Sequence, residues 1–97
     1  MQNFKYKVGD VFKLKLRISE DTEIDVLYFV KGLIDPPRTL DRVYLTECAE
    51  SSHPTPFQFE FSEKEINEYE ILNENNSRVI MSELMAVRAK KALLELI

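Results

Sequence analysis

Cysteine and histidine each occur once in these 97 residues, glycine twice and tryptophan not at all. Cys48 alone closes no internal disulfide, and with His53 it makes a poor zinc set, because zinc wants four ligands of this kind. With only Gly9 and Gly32 available, a glycine-rich loop that cradles phosphate is excluded. Long apolar runs are missing too: the longest, around Val26 to Ile34, is broken by Lys31 and Gly32 and is too short to cross a bilayer. The opening MQNFKYKVGDVF lacks the uninterrupted apolar core of a signal peptide. Together these absences lead us to expect a protein of a reducing, cytoplasmic setting with no membrane partner.

Catalytic chemistry is equally thin. A nucleophile needs a base within reach and a third group to orient it. His53 stands in the loop SSHPTP and Cys48 five residues earlier on an expected strand, which reads as a solvent-exposed histidine and a strand cysteine ahead of a catalytic pair. The carboxylates of EFSEKEINEYE are closely spaced, but an acid catalyst must be desolvated, and runs of charge on short helices are usually solvated. The expectation is a non-catalytic protein with no cofactor and no metal.

Hydrophobic residues make up 44% and charged residues 31%, a mix that supports a folded core, and the length allows one domain, residues 1–97. The net charge of −4 conceals a gradient. Lys5, Lys7, Lys13, Lys15 and Arg17 crowd the start, whereas Glu47, Glu50, Glu60, Glu63, Glu65, Glu68, Glu70 and Glu74 crowd the middle.

Within VFKLKLRI, Phe12, Leu14, Leu16 and Ile18 alternate with Lys13, Lys15 and Arg17, the period of a half-buried strand. Gly9-Asp10 reads as the turn that launches it and SEDTE as the turn that ends it. IDVLYFVKGLI, apolar on both faces, reads as a central strand or one that bends at Gly32. DPPRTLD is a loop, since Pro36 and Pro37 cannot donate to a ladder. RVYLTEC alternates again, and FQFEF puts Phe57, Phe59 and Phe61 on one face, where they are expected to fill the centre of the core.

Ser62 and Glu65 have capping-box spacing, so SEKEINEY predicts a short helical turn. NENNS, Asn73 to Ser77, reads as a turn in a loop before a last strand, RVIM, Arg78 to Met81, with Ser82 capping a helix over 82–97. The fold class expected is mainly β, of the α+β kind: a small, strongly bent antiparallel sheet of four to six strands, with a short helical turn and one C-terminal helix on a barrel-like core of residues 1–81. Over residues 8–81 this layout resembles that of Src-homology-type small barrels. The short, Glu/Asn/Lys-rich composition resembles that of accessory proteins of bacteria or their phages.

Projected at helical spacing, Met85, Ala86, Ala89, Ala92, Leu93, Leu96 and Ile97 make one broad apolar face, suited by its small residues to lie on the sheet. A second stripe, Leu84, Val87 and Leu94 with Ile80 in line, lies opposite between Glu83, Arg88, Lys90 and Glu95. With Lys91 it forms the candidate interaction surface, because a surface helix with two apolar sides needs something to cover the second. The reading is a small interaction or regulatory domain whose partner is another protein or a second copy of itself, paired through this helix.

Two other readings stand beside it. Lys13, Lys15 and Arg17, in phase with Lys5 and Lys7 and near Phe4, Tyr6 and Tyr28, carry the ingredients of a single-strand-binding sheet. Against nucleic acid stand the net acidity and the dense negative segment, which repel a polyanion. Conversely, Glu60 to Glu74 offers spaced carboxylates that imitate a phosphate backbone, as an acidic inhibitor of a nucleic-acid enzyme would.

Overall fold

Gly9 takes a left-handed backbone, φ 97°, in a turn where the Lys7 amide donates to Asp10 Oδ2 (2.9 Å) and the Asp10 amide donates to the Lys7 carbonyl (3.0 Å). From that turn the chain enters the sheet. In this computed structural model, which describes residues 4–34 and 41–96, the elements run β1 Val11–Ser19, β2 Thr22–Ile34, β3 Val43–Cys48, β4 Gln58–Ser62, α1 Glu63–Ile66, β5 Glu70–Ile71 and α2 Glu74–Glu95. The five strands form one antiparallel sheet in the order β4-β3-β2-β1-β5. It stays open, with β4 and β5 as its edges, so the architecture is α+β and the sheet does not close into a barrel. The expected loop at Pro36 and Pro37 lies outside the described residues, as does Ile97.

The long β2 is central, as its two apolar faces require. Its first half pairs with β1 and its second with β3, and the register shifts between Val30 and Gly32, where a bulge bends the strand. Alternation along β1 and β2 then separates two cores. On one face Phe12, Val30 and Tyr44 meet Tyr6 and Ile66, covered by the N-terminal segment and α1. On the other, Val11, Phe29 and Ala49 meet Leu84 of α2. Ser62 and Glu65 form the capping box that their spacing predicts.

Two expectations need correction. Phe57 is 86% exposed and Phe59 43%, and only Phe61 is half-buried, against Phe12, Tyr28 and Tyr69. Strand alternation places Phe59 and Phe61 on the same face, but β4 is an edge, and Phe59, met by the edge-on ring of Tyr28, stays exposed. The bulk of that core is Tyr44 and Phe12.

The second correction concerns the helix. Arg78 to Met81 is helical, and α2 starts at Glu74, capped by Asn73, whose side chain accepts from the Asn76 amide (2.7 Å). NENNS therefore supplies the cap and first turn of a helix instead of a loop before a strand. Ser77, expected in that loop, is buried and accepts the Val11 amide at 3.1 Å, tying the helix to the start of β1. No glycine or proline interrupts 73–96, so helix propagates to Glu95 once begun.

Candidate interaction surfaces

Lys13, Lys15 and Arg17 share the sheet face that α2 covers farther along, but lie beyond the helix on the β1–β2 ribbon. Register sets Lys15 opposite Asp25 and Arg17 opposite Glu23, while Lys13 faces Glu70 of β5. Lys13 Nζ meets Glu70 Oε2 at 3.0 Å, which raises the Lys13 pKa, and Arg17 approaches Glu23 at 3.7 Å. Each cation of the row thus has an acid across from it, and the face is a ladder of mixed sign. The acidic segment is similarly engaged. Glu63 accepts from the Tyr44 hydroxyl (2.6 Å), Glu65 from the Ser62 amide, and Glu74 lies near Lys7 and Arg78. Glu60 and Glu68 face solvent.

The candidate helix stripe divides. Leu84 is 7% exposed and belongs to the core with Val11, Phe29 and Ala49, whereas Val87, Lys91 and Leu94 are exposed. The reason is the earlier start of α2: Ser77, Ile80, Met81, Leu84 and Arg88 fall on one side at three- and four-residue spacing, and that side meets the sheet. The broad face expected to lie on the sheet does not pack on it; Met85, Ala89 and Ala92 stand across a groove from Phe29. Met85, Ala89, Leu93 and Leu96 are exposed and Ala92 is half-exposed.

Arg88, expected to border a wet stripe, is instead the last buried residue of the helix. Its Nη1 donates to Glu47 Oε1 (2.6 Å), its Nε to the Ser51 carbonyl (3.0 Å) and its Nη2 to the Cys48 carbonyl (3.1 Å). The guanidinium also lies 5.4 Å from the centre of the Phe29 ring. Glu47, 1% exposed, accepts from a second cation at Oε2, the Lys31 ammonium (2.6 Å), and approaches Gln58 Nε2. Burial pushes the Glu47 carboxyl up, but the bonds from Lys31 and Arg88 outweigh it and hold the group below its ordinary value.

This Lys31–Glu47–Arg88 group was missed from sequence, although one signal was present. Glu47 stands in phase with Val43 and Leu45 along β3, and a carboxylate on an otherwise apolar strand face calls for a buried cation. Beside it, Val8, Phe29, Pro54, Met81, Met85, Ala89 and Ala92 line a groove of about 500 Å³. Past Arg88 no described residue of α2 is buried, and Leu93 and Leu94 are 66% and 60% exposed.

Cys48 is half-buried on β3 while His53 bonds locally to Thr55, and no cluster of three or more metal-ligating side chains occurs among the described residues. None of the described helices is long and apolar enough to cross a membrane. No protein family, characterised protein or solved structure matches the chain.

Proposed function

We propose that the protein is a small, non-catalytic interaction or regulatory domain that pairs with a second copy of itself through α2. The observation that carries this reading is an exposed apolar seam. Met85, Ala89, Ala92 and Leu96 recur at intervals of four, three and four residues, the spacing of a helix that packs along another helix. The two alanines permit close approach, and Val8 and Pro54 extend the apolar surface into the adjoining groove. The opposite flank is the poorer seam, because Lys91 sits one helical turn after Val87 and interrupts its row with Leu94.

Met85, Leu93 and Leu96 are 44%, 66% and 83% exposed, so withdrawing the remainder on both copies contributes about 6–12 kcal/mol. Association costs about 4–15 kcal/mol, so a dimer is sustained only if most of the seam is covered. Light scattering on the parent should report a dimer. Leu93→Glu/Leu96→Glu should report a monomer with an unchanged circular dichroism spectrum, because both side chains lie outside the core. Val87→Glu/Leu94→Glu should stay dimeric. A parent that is monomeric at its highest soluble concentration defeats the homodimer.

A further inference from the structure

β1 is nine residues long, but β5, its outer neighbour, has two and pairs only with Phe12 and Lys13. From Leu14 onward the outer edge of β1 pairs with no strand among the described residues, and Glu68 and Tyr69 share a pocket with Leu14 and Lys15. Val11 shows which backbone groups face that way: its carbonyl accepts the Leu72 amide (2.9 Å) and its amide donates to Ser77 Oγ (3.1 Å), both on the β5 side. A strand repeats this orientation every second residue, so the amides and carbonyls of Lys15 and Arg17 point outward as well.

The side chains along this edge are of two kinds. Leu16 is exposed on one face, Lys15 and Arg17 on the other, and Ile18, exposed too, stands where the register shifts. Lys15 makes no ion pair among the described residues, and the contact of Arg17 with Glu23 is exposed and long. On its other side the ribbon has no strand neighbour up to Val26 among the described residues, since β3 pairs with β2 from Tyr28 and the Ala49 amide donates to the Leu27 carbonyl (2.7 Å). A bare two-stranded ribbon with an apolar face is marginal in water and gains from a third strand.

What that strand must look like is written in β5. Glu70 stands opposite Lys13 with its carboxylate 3.0 Å from the ammonium, and Ile71 stands opposite Phe12. Extending the same row sets acids opposite Lys15 and Arg17 and apolar residues opposite Leu14 and Leu16, and it ends there because the register of β1 shifts between Arg17 and Ser19. A second copy's β1 fails this test, because antiparallel pairing of two such edges opposes cation to cation. We infer that the outer edge of β1, from Leu14 to Arg17, accepts an extended segment of a partner protein in which Glu or Asp alternates with β-branched or aromatic residues, added antiparallel as a continuation of β5.

The probe is a labelled peptide EVEYEIE, which repeats the Glu-Tyr-Glu-Ile order of residues 68–71. Fluorescence anisotropy should show saturable binding that weakens with salt, and amide exchange at Lys15 and Arg17 should slow in the complex. Lys15→Glu/Arg17→Glu, or Lys15→Gln/Arg17→Gln should the reversal unfold the ribbon, and the reversed peptide KVKYKIK should each weaken binding about tenfold or more. Equal binding of a scrambled peptide, EEEEVYI, reduces the effect to charge alone and overturns the inference. So does the absence of binding, or binding with no protection of those two amides. A parent dimer that Lys15→Gln/Arg17→Gln dissolves would put a second copy on this edge and overturn it as well.

Discussion

Arg88→Met removes one cation from a carboxylate that has almost no contact with water. Truncating one partner of a buried ion pair costs about 3–5 kcal/mol, because the remaining charge stays desolvated. Here Lys31 keeps its 2.6 Å contact with Glu47 and is itself half-exposed, which places the loss near the lower limit, about 3 kcal/mol. The Ser51 and Cys48 carbonyls also lose their donors. For a domain of this length each kcal/mol moves the melting temperature by about 4–8 °C, so Arg88→Met should melt about 12–24 °C below the parent. Urea unfolding followed by circular dichroism measures the free energy directly, and Glu47→Gln/Arg88→Met completes the cycle with the two single variants. Removing both charges leaves no buried ion, so the double variant should be more stable than the sum of the single losses implies. A loss below about 1 kcal/mol for Arg88→Met, or strict additivity, refutes the claim that this pair holds α2 to β3.

Other expectations follow from burial and titration. Phe12→Ala should cost about 3–5 kcal/mol in the same urea assay, whereas Phe57→Ala should stay within about 0.5 kcal/mol; the reverse order would return the phenylalanines of FQFEF to the core. Because the Glu47 pKa is lowered on folding, its contribution is present above the ordinary value of 4.5 and is lost as pH falls through the folded value. Acid titration should therefore narrow the gap between parent and Glu47→Gln. The alkaline limb is shared by Tyr28, Tyr69 and Tyr44, all raised by burial, and Tyr44 is pushed up to about 12 by burial and by its bond to Glu63. A raised value contributes fully below about 10 and is lost towards 12, so Tyr44→Phe should flatten the fall in stability over that range.

Particular elements show where local sequence was enough. β1, the bulge near Gly32 and the Ser62–Glu65 cap are dictated by interactions within a few residues, and alternation alone assigned Phe12 and Lys13 to opposite faces of the sheet. The start of α2 was misread because NENNS has equal claims as a turn and as a cap with first turn. The choice falls to Ser77, whose hydroxyl has a buried amide to accept only when β1 lies beside it.

By itself, then, the sequence determined periodicity, caps, turns and the charge row of β1, since each depends on neighbours along the chain. Tertiary structure decided which apolar residues are covered. Helical projection groups Leu84, Val87 and Leu94 on one side, but whether that side meets sheet or solvent depends on where the helix begins and on what stands across from it. Glu47, forty-one residues from Arg88, makes the difference for that charge. The same holds for Phe57 and Phe59: alternation assigns a strand its faces, and only the order of strands in the sheet makes β4 an edge, where an apolar face can stay in water.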